Sequence, residues 1–576
     1  MDPVDARTAD PALGDLLVRP VALALSGAGE GRRGTWDLAV EPVRPWHRVW
    51  WDTADWRLLR HGLALELTGA PRGERLVLHG DSAVPATCRV PSDLPRALRP
   101  QDLPEGRLRT CLEERLGLRA LLPLARCSGE VRRILVLDER RKTVARLEIR
   151  SPGPRSGRPV EDGEREGAGQ EVPGGGIRLL PVRGYEAHAR AVARELGSAG
   201  LPVLMPLPAQ RTGDAAARVE LGQAEEAFLV AGLRPGVLPG EPAVPVGPDT
   251  PAGVATAAML LGFLDQIRAA TDGTVEDVDT EFLHDLRVAV RRSRSALKLA
   301  GDALPPGLPG RLSPGLAWLG DLTTPVRDLD VHLLLLPGYR ERLVASRAED
   351  LDPLHAHLVR ERTLRRRALV RGLRSGRYDR LCSTWRAELE AVVEGRGPEA
   401  AGTPAGLPFA ALAAERIARA ERTVLRKGRR ISPGCPAEHL HSLRKRCKEL
   451  RYLVQLFERA LDPGAVRVVT RHLKGLQEIL GRFQDCEVQR QALRAHAERM
   501  SRCQGPAGAP AVTLMAVGEL AGSLAREQEE VRAGFADRFA RFDSPRVHRH
   551  VVRSARSGRD GGTGGRDRGP ARGADR

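Results

Sequence analysis

Two stretches of this chain set a histidine and three cations at matching spacings: LHDLRVAVRRSR at 283–294 and LHSLRKRCKELR at 440–451. His284, Arg287, Arg291 and Arg294 stand at i, i+3, i+7 and i+10, and so do His441, Arg444, Lys448 and Arg451. On an α-helix these positions share an arc of about 80° and climb roughly 15 Å. Like charges this close destabilise a free helix by roughly 0.2–0.5 kcal/mol per pair. A fold that stacks them twice needs compensation, either from its own carboxylates or from a bound polyanion. Arginine forks meet phosphate oxygens two at a time, and histidine adds a directional donor whose charge switches near neutrality. The chemistry these residues point to is the holding of phosphates.

The elements that must position them are helices, and they come as a pair. Leu283, Leu286, Val290 and Leu297 form an apolar seam beside the first stripe; Leu440, Leu443, Cys447 and Val454 do the same beside the second. The offset of 157 residues continues downstream, where RDLDV (327–331) falls on QDCEV (484–488) and Leu316 and Leu319 fall on Leu473 and Leu476. A constant register over some fifty residues predicts a duplicated helical unit packed about a pseudo-twofold, with both stripes bordering one groove. Further cations that would flank such a groove are Arg292, Lys298, Arg327, Arg366, Lys445 and Lys474. Aromatic residues make up only 3% of the chain, and none interleaves with the first stripe. Stacking readers of single-stranded nucleic acid depend on aromatic platforms, so the groove is suited to phosphates without bases.

The whole chain, 576 residues with a net charge of +17, is long enough for several domains and favours a polyanionic partner. Residues 1–232 carry short Val/Leu/Trp runs such as HRVWWDT, LALEL, RLVLHG and RRILVLDE, which predict strands and hairpins. A helix is expected in YEAHARAVARELGSAG, a strand near ARVEL, and a flexible insertion at about 151–176. A Pro/Gly linker at 233–253 leads into a helical region, 254–543, whose repeats are expected at about 254–396 and 408–543. A Gly/Arg tail at 544–576 reads as disordered. The fold class is therefore α+β in two domains: a β-barrel or antiparallel sheet with helices, then an all-α duplicated bundle. Eight scattered cysteines without a CxxC predict free thiols, and the acidic N-terminal segment without an apolar run predicts a cytoplasmic protein with no membrane contact.

The helical region resembles the CHAD family, duplicated α-helical modules named for their histidines. The motifs that carry the resemblance are LHDLRVAVRRSRSAL, PVRDLDVHL, LHSLRKRCKELRYLVQLF and LKGLQEILGRFQDCEV, in order and spacing over roughly 255–545. It implies binding of inorganic polyphosphate along a basic groove, with the eight stripe residues as contacts, and location at polyphosphate granules. WWDTADWRLLRHGLALELTG (50–69) and RRILVLDERRKTVARLEI resemble the CYTH family of triphosphate-handling enzymes, and CHAD domains often follow a CYTH domain. The chain departs from that family in lacking its ExExK strand. It also has Leu63, Ala64, Leu65 and Glu66 where a basic LRxR strand belongs. The N-terminal half is expected to be a degenerate relative without catalysis, and the chain is assigned no catalytic residue, metal or cofactor.

Two alternatives follow from other classes: a metal-dependent triphosphatase or polyphosphatase using the CYTH-like half, and a non-specific nucleic-acid binder, which the scarcity of aromatics disfavours. His355 with His357, and His439 with His441, cannot share a metal ion from i and i+2 of one helix. Asp328, Asp330, Asp485 and Glu487 are expected at helix termini or paired with arginines. Trp50, Trp51 and Trp56 are expected in the core.

Overall fold

The computed structural model describes residues 13–549 apart from 27–35, 71–72, 81–84, 92–93, 153–175, 202, 205–212, 241–243, 397–403, 503–508 and 546. Most of the expected insertion and of the Gly/Arg tail therefore lies outside the described residues. The chain forms two compact units, Met1–Leu238 and Pro239–Arg576.

In the first unit, α1 (Leu13–Ser26) precedes β1 (Asp37–Val40) and β2 (Arg44–Asp52). A short α2 (Arg57–Arg60) leads into β3 (Ala64–Ala70), β4 (Gly73–His79) and β5 (Ala86–Val90). After α3 (Arg107–Leu116) come β6 (Leu122–Leu137), β7 (Thr143–Pro152) and β8 (Gly176–Pro181). The unit ends with α4 (Glu186–Ser198), β9 (Val203–Leu204) and α5 (Gly213–Val230). The strands form one sheet in the order β5-β4-β3-β2-β6-β7-β8-β9, with β1 also on β6 and only β8–β9 parallel. Among the described residues its ends at β5 and β9 do not pair, so the architecture is an open antiparallel sheet and not a closed barrel.

Period-two alternation explains how the sheet is covered. Val49, Trp51, Leu65, Leu67, Leu76 and Leu78 pack against Leu58 of α2 and Leu108, Leu112 and Leu116 of α3. Farther along, Ile134, Val136, Leu147, Ile149 and Ile177 bury Val21 and Leu25 of α1 and Val192 and Leu196 of α4. Trp50 and Trp56 are buried with Ala224, Ala227 and Phe228 of α5. The Asp-Thr pair that ends β2 has a clear local role. The Asp52 carboxylate accepts the backbone N–H groups of Thr53, Leu58 and Leu59 at 2.6, 2.9 and 2.9 Å, which satisfies the start of α2. Burial nevertheless pushes its pKa up to about 6. The strand expected near ARVEL is instead part of α5. Its buried positions Glu220, Ala224, Ala227 and Phe228 recur at helical spacing, and the helix runs on through Gly222.

The second unit runs α6 (Ala252–Glu276), α7 (Thr280–Ala300), α8 (Leu308–Glu341), α9 (Asp352–Leu373) and α10 (Gly376–Val393). It continues with α11 (Phe409–Gly428), α12 (Ala437–Leu456), α13 (Pro463–Ser501), α14 (Ala511–Ala533) and α15 (Phe535–Phe542). The duplication is physical. Leu308, Leu312, Leu316, Leu319, Thr323, Val326, Leu329 and Leu336 of α8 are all buried. So are the residues 157 positions on in α13: Ala465, Val469, Leu473, Leu476, Leu480, Phe483, Cys486 and Leu493. Ala252, Leu260 and Ile267 of α6 recur in the same way as Phe409, Ile417 and Val424 of α11.

The pseudo-twofold axis can be placed on two residues. Pro251 forms an antiparallel bridge with Pro408, its own mate. Ala252 N donates to Leu407 O at 2.8 Å, and the mate of that bond, Phe409 N to Thr250 O, measures 2.9 Å. Neither proline has an N–H to offer, and the bridge needs none from them. The end of the Pro/Gly segment thus docks on the helical unit, where Val246 is buried and Ala410 N donates to Pro248 O at 2.9 Å. The seven cysteines among the described residues are free. Among the described residues no helix is long and apolar enough to cross a membrane.

Candidate anion-binding groove

The phase of α7 is set at its first turn. Asp279 caps it by accepting from Glu281 N at 2.8 Å and Phe282 N at 3.1 Å. From that start Leu283, Leu286, Val290 and Leu297 fall on the buried side, as Leu440, Leu443, Cys447 and Val454 do on α12. The stripes are left on the flank. There α7 packs against α8 and α12, while α12 packs against α13.

The two stripes meet. Arg291 of α7 places its guanidinium carbon 5.9 Å from the ring centroid of Tyr452 on α12. Burial, together with Arg444, Arg291 and Arg451, pulls the Lys448 ammonium down to about 8. An ammonium depressed in this way is short of compensating anions, although Asp485 acts in the opposite sense. Arg292 is likewise lowered by burial and by Arg291 and Arg451. His284 is held below the usual imidazole range by burial and by Arg327, so at neutral pH it offers a neutral ring. Its protonation therefore begins lower than the ordinary value near 6.5 that the sequence suggests. His441 instead pairs through Nδ1 with Gln484, which stands at the position of Arg327.

Two cavities open beside the stripes. One of about 700 Å³ is lined by Arg287, Arg291, Arg294 and Lys298, with the hydroxyls of Ser295, Ser313, Thr323 and Thr324. The other, about 910 Å³, is lined by Arg451, Lys474, Arg482, Arg538 and Arg541, together with Glu478, Asp485, Glu530 and Asp537. Arg294, Ala317, Gly320 and Thr324 of the first are mates of Arg451, Lys474, Gln477 and Gly481 of the second, so the cavities themselves are pseudo-symmetric.

Residues 258–494 match the family model of the CHAD domain. The helical unit carries a CHAD domain. The match spans both stripes and lies wholly within that unit. Among solved structures, the CHAD domain from the plant Ricinus communis is 25% identical with a TM-score of 0.44, covering 54% of this chain and 97% of that one. PptA from Streptomyces chartreusis is 18% identical with a TM-score of 0.38, covering 50% of this chain and all of that one. No curated protein matches.

Not every cation singled out from the sequence reaches the CHAD groove. Lys298 lines the first cavity and pairs with Glu449 of α12 at 2.5 Å. Lys474 lines the second and sits 3.9 Å from Glu478. Arg327 donates to Thr280 O at 3.2 Å and faces His284. Lys445 is exposed beside the stripe. Arg366 is turned elsewhere: it pairs with Asp277 at 3.2 Å and donates to Val275 O. The four acidic residues expected at helix termini are in mid-helix, because α8 and α13 run on through both motifs. Their arginine pairing does occur. Asp330 binds Arg362 at 2.6 Å, Asp485 binds Arg444 at 3.2 Å, and Glu487 pairs with Arg490.

Two polar clusters join residues that the sequence does not bring together. In the first unit, Glu66, His79 and Glu220 bring one ligand atom each within 4.8 Å of one another. Arg48 already stands among them, 2.8 Å from Glu66 and 3.4 Å from Glu220, so the carboxylates are neutralised in place. In the CHAD domain, His332, His357 and His496 are buried together, contributed by α8, α9 and α13.

Proposed function

We propose that the CHAD domain binds inorganic polyphosphate without hydrolysing it, in the groove where the α7 and α12 stripes meet. The observation that carries this reading is the convergence of cations from both repeats on a half-buried Lys448, whose pKa burial and those cations together depress to about 8. A phosphate polymer would supply the missing charge at a spacing of a few ångströms, and arginine-rich edges suit its oxygens. The family match supports the same ligand, and such binding would hold the protein at polyphosphate granules. The test is competition. Labelled long-chain polyphosphate on the full chain is challenged with single-stranded DNA, double-stranded DNA and tripolyphosphate at about 0.15 M salt, and released phosphate is followed with and without Mg²⁺ or Mn²⁺. Polyphosphate is expected to hold against charge-matched DNA with no phosphate released. Equal displacement by DNA would reduce the stripes to a generic cationic surface.

Lys448 also sets a pH dependence. With its pKa at about 8 in the free protein, the side chain is charged at pH 7 and mostly neutral at pH 9. A bound polyanion raises that pKa, so binding takes up a proton near pH 8 and affinity falls as pH rises. The expected loss is about tenfold from pH 7 to pH 9. Calorimetry in buffers of different ionisation enthalpy reads the proton uptake. Lys448→Arg, which stays charged, is expected to flatten the profile.

A further inference from the structure

The two cavities are mates in sequence but not in chemistry. The floor of the first is Gly320 of α8, and its mate on α13 is Gln477. A Cβ on Gly320 would stand 2.9 Å from Nη1 of Arg294, so the guanidinium lies directly over the glycine. In the second repeat the amide of Gln477 fills that place. It accepts from Arg451 Nη1 at 3.3 Å and donates to Cys447 O at 2.7 Å, tying the cation and anchoring itself.

The next pair of mates diverges in the same direction. Arg287 donates to neutral acceptors, Thr324 Oγ1 at 2.6 Å and Thr323 Oγ1 at 3.2 Å. Arg444 instead donates to the Asp485 carboxylate at 3.2 Å. The described lining of the first cavity includes no carboxylate, whereas that of the second includes four beside five cations. A phosphate entering the first cavity meets Arg287 held by hydroxyls, with Lys298 of that lining paired to Glu449. One entering the second must displace internal counter-charges.

We infer that the groove grips its ligand from one end: the first-repeat cavity, opened by Gly320, is a phosphate subsite, and the second-repeat cavity, filled by Gln477 and balanced by its own carboxylates, is not. This rests on the polyphosphate reading above. Gly320 acts by leaving room for the phosphate and leaving Arg294 untied.

The experiment transplants one repeat's residue into the other. Gly320→Gln should fill the cavity and tie Arg294, weakening long-chain polyphosphate binding at least tenfold. The same change raises helix propensity, so the thermal midpoint should be equal or higher, which separates the effect from misfolding. Gln477→Ala in the second repeat should change affinity less than threefold. A charge reversal in each cavity gives an independent reading: Arg294→Glu should cost at least tenfold, and Arg538→Glu, which lines only the second cavity, no more than threefold. Equal losses from the two reversals, or wild-type binding by Gly320→Gln, would overturn the inference. The double variant Arg291→Glu/Lys448→Glu is run alongside. If it abolishes binding while Gly320→Gln binds normally, only the inference falls. If it binds normally, the polyphosphate reading falls and the inference with it.

Discussion

Replacing Arg291 and Lys448 together by glutamate is expected to lower polyphosphate affinity by at least a hundredfold at physiological salt. The two residues come from different repeats, yet Arg291 is among the charges that depress Lys448, so both reversals act on one stretch of ligand. Two unit charges about 4 Å apart interact by roughly 1 kcal/mol in bulk water and about 4 kcal/mol at the effective dielectric near a protein surface. Each reversal removes one such attraction and adds a repulsion, so a total of several kcal/mol is a modest expectation. Raising the salt should narrow the gap between wild type and variant, because the affected term is the screened one. Folding should survive. Arg291 is exposed, and an acid at position 448 would face Arg444 and Arg451 where an ammonium now meets them. Anisotropy titrations with labelled polyphosphate, paired with a thermal melt of the free variant, separate lost binding from lost structure. An affinity loss under tenfold with an intact melt would remove the groove.

What could be read from the sequence follows from the physics of each feature. The stripes were legible because helical periodicity is local: spacing alone puts His284, Arg287, Arg291 and Arg294 on one side of α7. The duplication was legible because a constant offset survives substitution, and the burial of Leu316 with Leu473 and of Leu319 with Leu476 bears it out. The strand runs HRVWWDT, LALEL, RLVLHG and RRILVLDE were legible for the same local reason. The helical character of α5 was obscured by the short alternating run ARVEL, and period arguments separate strand from helix poorly over five residues. Closure of the sheet was not legible, since pairing of distant edges leaves no local mark. Gly320 gave no signal, because a glycine within a helix reads only as a weak former. Its role depends on which guanidinium lies above it, and Arg294 comes from another helix. The three buried histidines were invisible for the same reason. His357 was set aside on its i, i+2 relation to His355, and its actual partner, His496, lies 139 residues away.

That histidine cluster carries the second large effect: the CHAD domain should lose stability steeply on acidification below pH 6.5. His496 Nδ1 accepts from Arg499 at 2.8 Å and from His357 Nε2–H at 3.1 Å, so the ring is bound as the neutral tautomer protonated at Nε2. The Tyr339 hydroxyl and His332 Nδ1 share a hydrogen bond of 3.4 Å. Burial holds all three imidazoles below their ordinary range. For His496, Arg499 and the other two rings add to that burial, bringing its pKa down to about 3. A base whose folded pKa is depressed favours folding above its unfolded pKa, and that contribution disappears as pH falls toward the folded value. For His496 the window is from about 6.5 down to about 3, and the loss by pH 4.5 is about 3 kcal/mol. The cluster joins α8 and α9 of the first repeat to α13 of the second, so its protonation loosens the seam between repeats. The symmetry mate of His496 is Tyr339, which shows that the fold accepts an aromatic ring at that position. His496→Phe should therefore cost about 1–2 kcal/mol at pH 7.5 through the lost hydrogen bonds and flatten the acid limb, so that the two stability curves cross above pH 4.5. Urea melts from pH 7.5 to 4.5 measure both curves. Parallel curves would show that carboxylates elsewhere set the acid limit and that the three histidines do no more than fill space.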